Sequence, residues 1–282
     1  MASRTHRLAA LTAGLTFLLI LIGEFTAVSG SGATCGFQWP DCSGQFLPFG
    51  LPVHDFIEWF HRMFAGGVGF FILGTAIALW RRYDDRWLRT IGLVAVVLLP
   101  IQVLLGGVTV TLGGLFPTGY QPITQAFHHL TALGIYAALV LGAVWSRRAD
   151  TGLRPSRHDV ARAARLSLVA LPFVLLLSRD TLLAYTTLVH ILHHAVEVVL
   201  FTGLLLTVDR AHAIGDARAV GAGAVALLVS VVLILLGVGV LPYVTAVQLT
   251  YYGLVLLTAV LLLYVSYNAR GSTSSNPSTP TP

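Results

Sequence analysis

The chain has 282 residues, of which 56% are hydrophobic and only 10% are charged. Soluble domains carry about 25% charged residues, so the composition excludes an ordinary soluble protein and predicts a multi-spanning membrane protein. The formal net charge is +5, and all 17 basic residues are arginines. These arginines follow membrane topology, as shown below, rather than forming a binding stripe, so nucleic acid is not an expected partner.

Eight apolar segments are long enough to cross a bilayer, which takes about 20 residues each. The first runs from about Leu8 to Val28, and it exceeds the apolar core of a signal peptide, so we expect it to be retained. The fifth segment is separated from the sixth by only a brief polar break at Arg179-Asp180. The seven later segments lie at about 54–80, 89–112, 121–146, 160–178, 182–207, 217–239 and 242–267.

The arginines predict the orientation of these spans. All but Arg62 and Arg179, which is 15 of the 17, lie at the two ends or in alternate connections of the chain. Positive residues mark the cytoplasmic side, so we expect a protein of the cell membrane with both termini in the cytoplasm. The loop 29–53 is then external.

Both cysteines lie in this loop, in Cys35-Gly-Phe-Gln-Trp-Pro-Asp-Cys42. An oxidising exterior favours a disulfide between them. Such a bond serves either to staple the loop tip or as a redox-active pair. Zinc is not expected, because no second cysteine or histidine pair completes a tetrahedral site.

Three ionisable residues lie near the start of the second span: Glu58, His61 and Arg62. Their spacing places all three on one face of a helix. Ionisable groups inside a membrane segment are costly and typical of functional sites. Glu58 is therefore a candidate proton acceptor, with simple neutralisation of Arg62 as the alternative.

Six of the ten histidines lie within predicted spans: His61, His128, His129, His190, His193 and His194. His61 and His128 each lie about seven residues into a span, so both are about 10 Å below the external end. Two helices can then present imidazoles to opposite faces of one flat ligand, as helical bundles do with haem. We expect iron to be bound through haem only, since few carboxylates are available to complete another metal site.

The chain also repeats itself loosely. Residues 129–134 resemble residues 248–253, and residues 58–62 resemble residues 190–194. Both predicted halves begin inside, so the repeat is parallel rather than inverted.

The predicted fold is an all-α integral membrane protein, with eight transmembrane helices arranged as two parallel-repeat four-helix bundles. The N-terminal half covers residues 1–148 and the C-terminal half residues 149–270. Residues 271–282 are rich in Ser, Thr and Pro, which predicts a disordered cytoplasmic tail.

Five segments cover the N-terminal half in a specific order. They are Gly23-Glu-Phe-Thr-Ala-Val-Ser-Gly-Ser-Gly32, the cysteine loop with Trp39-Pro40, Glu58-x-x-His61-Arg62, Gln102-x-x-Leu-Gly-Gly-Val-Thr-Val110 and Phe127-His128. In this combination the sequence resembles the prokaryotic haem A synthases, membrane enzymes that oxidise haem O to haem A for terminal oxidases.

The resemblance implies that the N-terminal half holds the substrate haem O between His61 and a histidine of the fourth span. His128 is the expected ligand and His129 the alternative. Glu58 would then lie beside the ring methyl that is oxidised to a formyl group, with water as the oxygen source. Arg62 would hold a haem propionate or pair with Glu58.

The resemblance also implies that Cys35 and Cys42 form a disulfide near this site. Haem O synthase and the assembly of a terminal oxidase are the partners that it implies. The electron acceptor is not identified by the sequence.

The C-terminal half is expected to differ from the family. The resemblance implies a haem b there between two histidines, but the eighth span has Gln248 where a histidine would lie. The haem b is then bound by His193 alone, or with His190 or His194 compensating, or this half has lost its haem.

Two other classes of function explain part of the pattern. A dihaem b-type electron-transfer protein explains the histidines but not Glu58 or the cysteine loop. A transporter explains the repeat, but it would show interrupted spans at matching positions of the two halves. The sequence therefore favours a haem-modifying oxidoreductase.

Overall fold

A computed structural model of the chain contains eight α-helices within the part that it describes. The described residues are 4–36, 41–113, 122–179, 181–239, 241–242 and 244–271. The helices are α1 (Arg4–Val28), α2 (Val53–Arg82), α3 (Arg86–Gly113), α4 (Pro122–Thr151), α5 (Arg157–Leu177), α6 (Thr187–Ala213), α7 (Ala217–Gly237) and α8 (Thr245–Gly271). All eight are long and apolar enough to cross a membrane, which confirms the prediction of an all-α multi-pass membrane protein. Trp39-Pro40 and residues 272–282 of the predicted tail lie outside the described residues.

The fifth and sixth helices are separate, as the count of eight spans requires. A capping box starts α5: the backbone N–H of Asp159 donates to the Ser156 hydroxyl, and the Asp159 carboxylate accepts from the Ser156 N–H. The same helix ends where Ser178 turns to extended backbone. The Ser178 and Thr181 hydroxyls lie 2.6 Å apart in the connection. These contacts occupy polar groups that would otherwise be left open at a helix end.

The helices fall into two compact units. Unit 1 comprises Met1–Leu153, Tyr185–His194 and Val238–Leu241. Unit 2 comprises Arg154–Ala184, Ala195–Gly237 and Pro242–Pro282. This division differs from the predicted halves, because the start of α6 belongs with the N-terminal helices. The parallel repeat of two four-helix bundles stays a prediction.

In unit 1, the first four helices pack in a ring. Helix α1 packs against α2 and α4, and α3 packs against the same two helices. The hydroxyls of Thr12 and Thr75 lie 2.8 Å apart between α1 and α2. Helix α3 approaches α2 closely at Gly92, where an added Cβ would lie 3.4 Å from the Ala76 Cα. Small residues permit such close contact between membrane helices, and the ring leaves α2 and α4 facing each other.

In unit 2, α8 packs against α5 and α7. Buried aliphatic residues of α5, α6, α7 and α8 form its core, among them Val174, Leu204, Leu233 and Leu262. A Cβ at Gly203 of α6 would lie 2.2 Å from the hydroxyl of Ser167 in α5. The absence of a side chain at Gly203 therefore allows α5 and α6 to pack closely.

Candidate haem site

A cavity of about 430 Å³ lies among the four helices of unit 1. This volume is typical of a small-molecule binding site. Residues that the sequence singled out are gathered on its wall: Glu24, Glu58, His61, Arg62, Gln102, His128 and His129. The cavity therefore brings together two acids, a cation, an amide and three imidazoles that the sequence places on four different helices.

His61 and His128 lie at similar heights on facing helices. His61 comes eight residues after the start of α2 at Val53, and His128 comes six residues after the start of α4 at Pro122. At about 1.5 Å per residue, these offsets differ by only about 3 Å. These offsets agree with the expected depth of about seven residues into each span, and the role of both residues as haem ligands stays a prediction.

Each of these two rings lies against a glycine. A Cβ at Gly23 would lie 3.2 Å from Cε1 of His61, and a Cβ at Gly106 would lie 3.2 Å from Cε1 of His128. The buried Nδ1 atom of each ring has no hydrogen-bond partner among the described residues. Buried ring nitrogens are normally satisfied, so both imidazoles keep bonding capacity that these residues do not use. The residues present therefore fit a haem held by two histidines.

Gln102 contacts one of these imidazoles directly. Its side-chain amide nitrogen lies 3.2 Å from Nε2 of His128, to which it donates a hydrogen bond. In the sequence, Gln102 stands out only as part of a motif and has no predicted role. Its place one helix away from His128 could not be inferred from spacing along the chain.

Glu58 is buried, with 2% of its surface exposed, and it has three partners. Arg62, four residues along the same helix, donates to Oε1. The backbone N–H of Cys35 donates to Oε2 at 2.7 Å, and the Thr34 hydroxyl lies 3.4 Å from the same oxygen. Arg62 also donates to the backbone carbonyl of Asp41 at 2.8 Å. The predicted Glu58–Arg62 pair is therefore present, and the cysteine loop closes over it.

The disulfide between Cys35 and Cys42 is formed, with the two Cα atoms 4.5 Å apart, and both residues are buried. The loop is also held to α2 by two contacts of residues that follow Cys42. The indole N–H of Trp59 donates to the Phe46 carbonyl at 2.9 Å, and the Ser43 hydroxyl donates to Asp55 at 2.9 Å. The Cys35 backbone thereby reaches Glu58.

A second polar cluster in unit 1 surrounds Glu24 of α1, which is 3% exposed. His129 Nδ1 lies 2.8 Å from Oε1 of Glu24. His190 Nε2 and His194 Nε2 lie 3.4 Å and 3.7 Å from Oε2 of the same carboxylate. The sequence analysis gave Glu24 no role. The available signal was the one used for Glu58, an ionisable residue within an apolar span.

The structure separates the neighbouring histidines of α4. His128 contacts Gln102 and Gly106 of α3, whereas His129 contacts Glu24 of α1. The sequence analysis kept His129 as an alternative haem ligand, and the structure gives it a carboxylate partner instead.

The predicted haem b histidines do not lie with the rest of the C-terminal half. His190, His193 and His194 belong to unit 1, and the first and last of these approach Glu24. His193 is 2% exposed, and its ring centroid lies 5.8 Å from that of His194.

In unit 2, polar side chains near the predicted haem b position have protein partners. The Gln248 amide donates to the Tyr252 hydroxyl within α8 at 2.8 Å. The Tyr251 hydroxyl donates to buried Glu197 at 2.9 Å. Gln248 thus stands in α8 as the sequence indicated, and its side chain turns along its own helix.

Comparison with known proteins gives matches to part of the chain. Residues 51–183 match the family model described as cytochrome oxidase assembly protein. The chain is 37% identical over 151 residues to the protoheme IX farnesyltransferase of Halobacterium salinarum, covering 53% of this chain and 30% of that protein. It is 31% identical over 134 residues to the haem A synthases of Bacillus cereus and Bacillus anthracis, covering 47% of this chain and 41% of theirs.

The chain spans less than half the length of each of these curated relatives. The matched residues 51–183 nevertheless contain Glu58, His61, Gln102 and His128. The matched family model and the Bacillus relatives agree with the resemblance of the N-terminal motifs to haem A synthases.

Proposed function

We propose that this chain acts in haem A formation by binding haem O in the cavity of unit 1 and oxidising one ring methyl to a formyl group. The observation that carries the proposal is the meeting of His61, His128 and Glu58 on one cavity wall. The names of the Bacillus relatives support the substrate class, and the family description supports a role in oxidase assembly.

His61 and His128 hold the substrate iron in this proposal. They lie on facing helices at similar heights, and each ring sits against a glycine that leaves it room. Two histidine ligands fix both the position and the potential of a haem iron. We take Nε2 as the nitrogen of His128 that would bind iron, so the hydrogen bond that Gln102 donates to it would be lost on haem binding.

Glu58 is the proposed proton acceptor. Oxidation of a methyl group to a formyl group with water as the oxygen source releases equal numbers of protons and electrons. A base beside the methyl takes up the protons, and the electrons pass to a separate one-electron or two-electron acceptor. The Glu58 carboxylate lines the cavity and is held by Arg62 and by the Cys35 N–H. These two donors fix its direction, and Arg62 is also placed to meet a haem propionate.

The partners follow from the same assignment. Two relatives are named as enzymes that transfer a farnesyl group to protohaem, which supports a farnesyltransferase as the supplier of haem O. The product would then pass to a terminal oxidase. The arginine distribution supports an orientation with both termini cytoplasmic and the cysteine loop external.

The test is pigment analysis of the purified full chain after co-expression with a haem O source. We expect haem A in the wild type and bound haem O without haem A in Glu58→Ala. Bound haem b with no haem A in either protein would instead assign the chain to the electron carriers.

The same preparation tests the C-terminal half. Since α8 offers Gln248 and two of the α6 histidines approach Glu24, we expect one haem per chain. A second haem with a b-type spectrum that persists in a His61→Ala, His128→Ala double variant would contradict this expectation.

A further inference from the structure

The Glu24 cluster is more than the wall of the haem cavity. Glu24, His190 and His194 are all buried, and one ligand atom from each lies within 4.8 Å of the other two. They come from α1 and from the first two turns of α6, all within unit 1. The haem proposal assigns none of these three residues a function.

The spacing of the cluster is that of a metal site. Nitrogen and carboxylate ligands lie about 2.0 to 2.1 Å from a bound zinc ion, so neighbouring ligands of a tetrahedral site are about 3.3 to 3.4 Å apart. Oε2 of Glu24 lies 3.4 Å from His190 Nε2 and 3.7 Å from His194 Nε2. The second distance exceeds a hydrogen bond and lies within ion-pair range.

The outer contacts are those that metal-binding groups need. The Tyr185 hydroxyl forms a hydrogen bond with Nδ1 of His190, which directs Nε2 of that ring towards Glu24. With Nδ1–H donating to the tyrosine oxygen, Nε2 carries the lone pair that a metal accepts. His129 Nδ1 lies 2.8 Å from the other carboxylate oxygen of Glu24. Metal-bound histidines and carboxylates are characteristically oriented by such partners.

An unused ring nitrogen provides a second, independent observation. His129 is 4% exposed, and its Nε2 has no hydrogen-bond partner among the described residues. Its ring centroid is 5.8 Å from that of His194. The ring that holds Glu24 through Nδ1 thus keeps bonding capacity at Nε2 that the described residues do not use.

We propose that Glu24, His190 and His194 bind a divalent first-row transition-metal ion, with Tyr185 and His129 as positioning residues. Imidazole and carboxylate together suit zinc, iron, copper and nickel ions. The site differs from the expectation that the chain binds metal through haem alone. Its ligands are not the proposed haem ligands, although Glu24 also lines the haem cavity.

The experiment measures binding of Co²⁺ and Zn²⁺ to the detergent-solubilised full chain after chelator treatment. Mass spectrometry measures zinc and cobalt separately from haem iron. The visible absorption bands of bound Co²⁺ report its coordination geometry. We expect about one ion per chain in the wild type, and at least tenfold weaker binding in Glu24→Gln and His194→Gln. Tyr185→Phe should weaken binding about 10- to 100-fold, as loss of an outer partner does.

His212→Gln is the matched control, because His212 lies on the same helix but is exposed. It should bind metal as the wild type does. Equal binding by wild type, Glu24→Gln and His212→Gln, or no binding by the wild type, overturns the proposal. If Glu24→Gln does not fold, Tyr185→Phe decides the question, since Zn²⁺ should raise the unfolding temperature of the wild type more than that of the variant.

Haem content is measured in the same samples. Loss of metal with haem retained supports two separate sites. Loss of haem A formation in Glu58→Ala, with metal binding retained, would support the proposed function without bearing on the metal site.

Discussion

Nε2 of His190 lies 3.4 Å from Oε2 of Glu24, although 166 residues separate the two along the chain. This contact links the start of α6 to α1 within unit 1. It also gives a buried carboxylate of α1 a partner outside the first four helices. Among the histidines of α4 and α6, His128 contacts Gln102, whereas His129, His190 and His194 approach Glu24.

The neighbouring residues His128 and His129 should behave differently when replaced. His128→Ala is expected to remove most of the bound haem while leaving the protein folded. His129→Ala should retain haem but lower the free energy of unfolding by about 1.5 to 3 kcal/mol, because a buried carboxylate loses a hydrogen bond. Haem content per chain and thermal unfolding distinguish the two. Loss of haem in His129→Ala alone would reverse the ligand assignment.

Replacement of Gln102 should not abolish haem binding. Its amide donates to Nε2 of His128, so haem binding must break this hydrogen bond. A net hydrogen bond contributes about 0.5 to 1.5 kcal/mol, and Gln102→Ala should therefore bind haem two- to tenfold more tightly. Haem titration followed by absorbance measures the effect. Substantially weaker binding would show that Gln102 itself contacts the ligand.

Gly106→Ala should weaken haem binding by crowding a ligand ring. The added methyl group would lie 3.2 Å from Cε1 of His128, so the ring must shift by a few tenths of an ångström. The control is Gly67→Ala, where an added Cβ meets nothing within 4 Å. Alanine in a helix is favoured over glycine by up to about 1 kcal/mol, so this control should be at least as stable as the wild type. Similar haem affinity in both variants would contradict the proposed position of the ring.

A double-mutant cycle at Glu58 and Arg62 separates pairing from chemistry. Glu58→Gln leaves a buried cation without its carboxylate, which for buried pairs costs about 3 to 5 kcal/mol. Adding Arg62→Gln should restore much of this stability, whereas haem A formation should remain absent. Unfolding temperature and pigment analysis supply the two measurements. Recovery of haem A in the double variant would show that Glu58 acts only by neutralising Arg62.

Removal of the disulfide should loosen the site as well as the loop. The bond joins cysteines seven positions apart, and closure of so short a loop stabilises by about 2 to 3 kcal/mol in the chain-entropy model. The Cys35→Ser, Cys42→Ser variant should unfold at lower temperature and should lose activity, since the Cys35 N–H holds the Glu58 carboxylate. Ser43→Ala, which removes another contact of the same loop, is the control. Activity retained at full rate in the double serine variant would make the disulfide a structural feature alone.

Much of the fold could be predicted from sequence because its cause is local. Runs of apolar residues set the eight helices, and the polar residues Ser178 to Thr181 were sufficient to end one helix before the next began. The positions of His61 and His128 along their helices followed from the rise per residue. The disulfide also followed from local sequence, since only two cysteines are present.

The Glu24 cluster could not be predicted from the sequence, because its residues come from helices that are distant along the chain. Spacing along a helix shows which residues share a face, but it does not show which distant helix supplies their partners. The resemblance between residues 58–62 and 190–194 suggested that His190 and His194 serve a second half. The contacts with Glu24 show that their chemical partner lies in α1.

The glycines beside His61 and His128 matter for the design of a similar haem site in another helical bundle. Each imidazole occupies space that a side chain on the adjacent helix would otherwise fill. Such a design therefore needs four positions on four helices: the two histidines and the glycines at positions 23 and 106 that leave room for their rings. A host that copies only the histidines would present them at the wrong angle.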